Sequence, residues 1–371
     1  MKLKRLLFPV SLFFGAVLVL SAVATSSADD KIGPLKKIAT ITIPGGLNSF
    51  DISWVDSESE TYYLANRTST PGKGRIVVID AEHDTYRGSI TGFVGQQGRR
   101  LSGPNGVVVI NKRGKLGAGE GHDRKELWVG DGVLPKGEST VKVVDLETNS
   151  IVASISTHGN HRADELAYDP ADEIILIAND ADVPTPFVTF ISTETRMVLG
   201  TLFYPQSTGG IEQPVWDPQT HRFYISIPST VLNPNGEVDE IDPLAETVTR
   251  VFGITDPNFA GPAGLALLPG QRLMTSTGVV FDARTGATLA EIPGVAGDEI
   301  WYNAGDERVY FGNEPMFVVD PETNSVVTSI DAGDTHSIAA NSENSHIFVP
   351  VTGVGVVVYT DDEDQEGHSD K

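Results

Sequence analysis

VVIDAEHDTYRGSI, residues 77–90, returns as KVVDLETNSIVASI at 142–155 and as FVVDPETNSVVTSI at 317–330. Related copies read EIDPLAETVTRVF at 240–252 and VFDARTGATLAEI at 280–292, and a weaker one, TFISTETRMVLGTL, covers 189–202. Each copy is an apolar strand, an Asp (Ser192 in the weak copy), a polar turn, and a second strand of alternating polarity. A supersecondary unit repeated at intervals of tens of residues cannot bury its faces alone, so it stacks against copies of itself. Upstream of the clause lies a strand ending in a small residue and Asn or Asp: TYYLAN (61–66), ELWVGD (126–131), IILIAN (174–179) and RVYFGN (308–313). Before that comes another strand carrying an aromatic residue and a turn: AYDPADE (167–173), VWDPQTH (215–221) and WYNAGDE (301–307). Each unit thus has four successive strands joined by short turns, and no amphipathic helix follows the N-terminal segment.

The innermost strands start near Phe50, Asn105, Asp164, Glu212, Ala263, Asp298 and His336, which makes seven units. The last unit has only three strands, HSIAAN (336–341), HIFVPV (346–351) and GVVVYT (355–360). KIATITI (37–43) supplies the missing outer strand, and joining the two chain ends in one blade closes the ring and removes free sheet edges. The expectation is an all-β, seven-bladed β-propeller of four-stranded antiparallel blades over residues 37–360, its last blade closed by the N-terminal strand.

YYLAN followed by VVIDAEHDTYRGSI, with VVDLETNSIVASI and VVDPETNSVVTSI, resembles the repeat of the YVTN-type β-propellers over about residues 37–360. That resemblance implies the fold; its functions range over surface-layer repeats, binding proteins, lactonase-like enzymes and dehydrogenase subunits. A looser similarity to gluconolactonase-like and streptogramin-lyase-like propellers rests on acidic residues and Asn at the inner-strand starts. It carries over no catalytic residue.

Residues 1–24 read as a secretory signal: Lys2, Lys4 and Arg5 precede an apolar run from Leu6 to about Val23, with small residues before a cut after Ala24 or as late as Ala28. The other reading of this segment is an uncleaved membrane anchor. The expected location is secreted or periplasmic. The chain has no Cys, which excludes disulfides, thiolate nucleophiles and Cys-based metal sites. A formal charge of −23 sets it against nucleic acid and anionic membranes; it reads first as keeping the protein soluble, and it also suits a salty medium or a cationic ligand. The chain is expected to be a monomer. The tail 361–371 is acidic and expected to be disordered, and the Gly-rich basic insertion 111–126 reads as a surface or contact loop.

Superposing the units on Trp54, Val109, Tyr168, Trp216, Leu267, Tyr302 and Ala340 aligns two columns at the channel mouth. The first is Phe50, Asn105, Asp164, Glu212, Ala263, Asp298 and His336. The second is Asp51, Gly106, Glu165, Gln213, Gly264, Glu299 and Ser337. Side chains alternate along a strand, so only one column faces the hub at a given height. Carboxylates crowded in a partly buried funnel raise one another's pKa values, and a cation relieves that repulsion. Hard oxygen donors suit Ca²⁺ or Mg²⁺, so Asp164, Glu165, Glu212 and Glu299 are the candidate metal ligands. Asp51, Asn105, Arg162 and Asp298 are candidates for contacting a small-molecule substrate. His336, His161 and Glu212 are candidates for moving a proton near neutral pH. Three functions stand open: a hub that binds a small molecule and performs metal-assisted lactone or ester hydrolysis or elimination, a non-catalytic surface or periplasmic binding or scaffold protein, and an accessory subunit of an electron-transfer enzyme.

Overall fold

The computed structural model describes residues 35–98, 100–112, 124–134 and 137–361. The segment 1–24 expected to be a signal, most of the insertion 111–126 and all but Asp361 of the acidic tail lie outside these residues. The described chain forms seven four-stranded antiparallel sheets in a ring. Blades one to six occupy 50–93, 107–156, 166–203, 214–253, 265–291 and 300–330, each with its strands in chain order from the hub outwards. In the seventh, Ala339–Ala340, Ile347–Val351 and Gly355–Thr360 run outwards and Lys36–Ile41 pairs antiparallel with the last of them. The chain ends therefore meet in one sheet, as the truncated final repeat predicts.

The repeated clause is the hairpin between the third and fourth strands. Its Asp ties the turn: Asp80 Oδ1 accepts from the Glu82 and His83 amides at 3.0 and 2.9 Å, and Asp320 Oδ1 accepts from those of Glu322 and Thr323 at 2.8 and 3.2 Å. Asn149 and Asn324, both at φ 52°, take the left-handed conformation that returns the chain, and a bulge follows in the ladder, as between Val318 and Val319. Turn Asp, left-handed residue and bulge together make a hairpin whose twist suits a blade. This assigns the clause Asp to structure.

Strand alternation gives each blade two apolar faces. Among the described residues seven buried clusters result, one between each pair of neighbours. Trp128, Val141 and Val143 of blade two meet Ile175, Ile177 and Ile191 of blade three. Ile41, Phe348 and Val358 of blade seven meet Tyr62, Leu64 and Val77 of blade one, so the closing strand contributes core as well as hydrogen bonds.

Candidate functional site

The inner strands settle the orientation of the two columns. Trp54, Tyr168, Trp216 and Leu267 pair with Tyr63, Ile175, Phe223 and Leu273 at equivalent rungs, which fixes the common register. Regular inner strands begin one to three residues beyond the columns in six blades, at Val107, Leu166, Pro214, Leu265, Ile300 and Ala339; only in blade one do column residues lie within the strand. The column residues still make ladder bonds to the second strand: the Asp164 and Glu212 amides donate to Ala178 and Ser226 carbonyls at 2.7 and 2.9 Å.

At Glu299, Gln213 and the two glycines the second column is turned to the next blade, whereas Asp51 and Glu165 line the channel. Glu299 accepts from the Ser337 hydroxyl and, at 3.3 Å, from the Ile338 amide of blade seven. Gln213 Oε1 accepts from the Leu265 amide of blade five at 2.8 Å. Where the column has glycine, the next blade fills the space: a Cβ on Gly106 would lie 2.3 Å from the Asp164 carbonyl oxygen, and one on Gly264 would lie 2.5 Å from that of Asp298. Asp164, Glu212 and Asp298 of the first column line the channel mouth, while a bulge between Phe50 and Ser53 turns Phe50 into the core. Asp298 is exposed there, Glu212 and His336 are half-buried, and Asn105 and Asp164 are buried against neighbouring loops.

Two cavities follow the axis. At the mouth, where the inner strands start, one of about 410 Å³ is lined by the carboxyls of Asp51, Asp164, Glu165, Asp180, Asp182, Glu212 and Asp298, with Arg100 and Arg162. At the other end, towards Pro170 and Pro218, one of about 460 Å³ is lined by Trp54, Trp216, Trp301, Tyr168, Tyr302 and the aliphatic rungs between them. Glu165 lines both.

Mouth carboxyls divide by partner. Arg162 holds Asp164 at 2.6 Å and Asp180 at 2.8 Å. Arg67 pairs with Asp51 and donates through Nε to Asn105 Oδ1 at 2.9 Å, while Asn105 Nδ2 donates to the Ala163 carbonyl at 2.7 Å, tying blades one, two and three together. Burial works to raise the Asp51 carboxyl, but Arg67 and His336 outweigh it and hold it well below the usual range. His336 stacks on Phe50 (4.5 Å between ring centres, 2° between planes) with Nε2 3.6 Å from Asp51 Oδ1. Burial opposes its charge, yet the facing carboxylates Asp51 and Asp298 raise its pKa. Glu212 and Glu165 receive no hydrogen bond or salt bridge from the described residues. Burial first, then neighbouring carboxylates, pushes both well above the usual range. Burial likewise raises Glu299, against the bonds from Ser337 and Ile338.

The predicted residues therefore separate into three groups. Asp51, Arg162, Asp164, Glu165, Glu212 and Asp298 meet around the mouth cavity. His336 and Asn105 stand at its edge as partners of Asp51 and Arg67. His161 stands apart in a loop, its Nδ1 3.8 Å from Asp182 Oδ1, and its amide donates to the same carboxylate at 3.1 Å. The four proposed metal ligands do not bring three donor atoms within 4.8 Å of one another. Among the described residues that condition is met only by Asp80, Glu82 and His83, on a turn of blade one. Sequence reading missed Arg67 and Asp180. Each follows directly on the Asn that ends a second strand, Asn66 and Asn179, and aligning that position would have placed both at the mouth.

No protein-family model matches the chain, and no curated protein does. Among solved structures, a chain from "Crystal Structure of Mitotic Checkpoint Complex" is similar with a TM-score of 0.63 at 12% identity, covering 97% of this chain and 99% of that one. A chain from "Kuenenia stuttgartiensis Hydrazine Synthase" is similar with a TM-score of 0.63 at 13% identity, covering 88% and 97%. At such identities the likeness is one of fold: the protein is a seven-bladed β-propeller.

Proposed function

We propose that this propeller is a secreted or periplasmic binding protein whose acidic mouth takes a small organic cation. The supporting observation is the charge imbalance around the mouth cavity: seven carboxyl side chains line it against two arginines, and Glu212 has no cationic or hydrogen-bonding partner among the described residues. An ammonium or guanidinium group between Glu212 and Asp298 would relieve that repulsion and satisfy the orphaned acceptors. The volume suits a small molecule rather than a bare ion. The resemblance of the repeat clause to YVTN-type propellers, which include binding proteins, agrees with this reading.

The test is calorimetric titration with 1,4-diaminobutane at low ionic strength. Saturable binding that weakens about tenfold in Glu212→Gln, the scale of one charge-assisted hydrogen bond, is expected. Equal affinity in wild type and Glu212→Gln, or no binding, would remove the reading.

A second reading is supported by the His336–Asp51 pair. A raised-pKa histidine, half-exposed beside a carboxylate-lined cavity, is placed to give a proton to a leaving group. A divalent cation held by some of Asp164, Glu165 and Glu212 would polarise the substrate carbonyl, and the reaction would be lactone or ester hydrolysis or elimination. Divalent-dependent turnover of a lactone and ester panel, lost in His336→Ala, is its expected signature, and a panel with no turnover would reject it.

A further inference from the structure

The cavity at the far end of the channel is chemically unlike the mouth. Its wall is built from one repeated strand position, occupied by Trp54, Tyr168, Trp216 and Tyr302, with Val109 and Leu267 between them. Trp301 packs edge-on against Trp54 at 5.1 Å between ring centres. These side chains pack along one edge against the interblade cores and stay only half-buried where they line the hub. Aromatic rings left open around about 460 Å³ are an apolar receptacle of ligand size.

The inner end of this receptacle carries one unpaired charge-bearing group, and the sequence explains why. In two blades a second-column side chain bonds the amide two residues before the common rung of the next blade. Gln213 takes the Leu265 amide and Glu299 takes the Ile338 amide. For Glu165 the equivalent residue is Pro214, which has no N–H to give. Glu165 is 8% exposed, and among the described residues no donor reaches its carboxylate. A buried acceptor without a partner is costly, and here it is aimed into a cavity. The indole Nε1 of Trp216 is also buried and unpartnered.

We propose that the aromatic bore is a second ligand site, distinct from the mouth, that takes an apolar-bodied amine with its ammonium on Glu165 and its aromatic or alkyl body against Trp54, Trp216 and Trp301. Indole faces add cation–π attraction for the same charge. The wall offers little to a strongly polar ligand, and a neutral apolar molecule would leave Glu165 unpaired.

The probes are 2-(1-naphthyl)ethylammonium and its neutral counterpart 2-(1-naphthyl)ethanol, titrated against the full mature chain by tryptophan fluorescence and calorimetry. The ammonium should bind saturably and at least about tenfold tighter than the alcohol, the scale of a charge-assisted bond over its neutral counterpart. Glu165→Gln should abolish that discrimination while keeping alcohol affinity. Pro214→Ala, which returns an N–H to Glu165 without touching the carboxylate, should reduce it. Trp216→Ala should weaken both probes, and with the mouth held by excess 1,4-diaminobutane Glu212→Gln should alter neither. Absence of binding to wild type, equal affinity for the two probes, or discrimination unchanged in a folded Glu165→Gln would each overturn the proposal. Loss of both probes in Glu212→Gln would place binding at the mouth instead.

Discussion

Gly106→Ala tests the orientation of the inner columns, on which every statement about the site depends. The added methyl would lie 2.3 Å from the Asp164 carbonyl oxygen and 2.6 Å from Glu165 Cα, both in the next blade. Comfortable non-bonded separations are about 3.5 Å, so the inner strands of blades two and three must part by roughly 1 Å. Neither obstacle is the movable end of a side chain. The Gly106 amide also donates to that Asp164 carbonyl at 3.1 Å, a bond the displacement would stretch. Forced overpacking of this kind costs about 1–3 kcal/mol, and at about 2 °C per kcal/mol for a domain of this size the melting temperature should fall by about 2–6 °C. Gly264→Ala, facing Asp298 and Ile300 backbone at 2.5 and 2.9 Å, should behave alike. Ala263→Ser, one residue earlier and facing the hub, should change little. The assay is thermal unfolding of the three variants beside wild type. If Gly106→Ala and Gly264→Ala melt with wild type while Ala263→Ser falls, the second column faces the channel and the site has been assembled from the wrong residues.

Other outcomes follow from the same arrangement. Glu165→Gln should stabilise the protein increasingly as pH rises. Burial raises the folded-state pKa of Glu165, so the native chain binds more protons than the unfolded one above about pH 4.3, and wild-type stability falls with pH until the folded value is passed, at about 1.4 kcal/mol per unit of separation. Denaturant unfolding at pH 4, 6 and 8 reads it, and a variant equally or less stable than wild type at pH 8 would contradict it. Arg162→Met should cost about 3–5 kcal/mol at neutral pH, because it leaves Asp164 and Asp180 buried without their guanidinium. The loss should shrink as acid protonates the two carboxyls; a loss independent of pH would mean that packing, not charge, is what Arg162 supplies. Asp51→Asn should lower the pKa of His336, since Asp51 is the leading influence that raises it against burial. Proton NMR titration of the ring measures this, and an unmoved value would dissociate the pair.

The fold was legible because its signals are local and repeated. The clause Asp, the turn residue after it and the four-strand spacing recur, and the three-stranded final unit demanded an outside strand. The aligned columns were legible for the same reason, from Trp54, Tyr168 and Trp216. What the columns face was not, because alternation gives two equivalent answers until the twist of the blade is known. Arg67 and Asp180 escaped notice because they reach the mouth from the ends of second strands rather than from the inner strands. Of the residues expected to hold a metal, two have contacts that the sequence alone does not reveal. Glu299 is turned sideways to Ser337 and Ile338, and Asp164 is engaged by Arg162. The aromatic residues of the bore are legible as one repeated strand position, but that they stand open around a cavity is a property of the closed ring. Glu165 stood in the right column, but its lack of a partner depends on Pro214 in the next blade, a relation that only the register between blades reveals.

The most direct measurement is a crystal structure of the propeller, residues 35–361, grown with 1,4-diaminobutane. The account predicts the diamine in the mouth cavity, with one nitrogen within hydrogen-bond distance of Glu212 and Asp298 and the Arg162 and Arg67 pairs intact. A mouth holding only water at saturating diamine, or a diamine bound elsewhere on the ring, would contradict it.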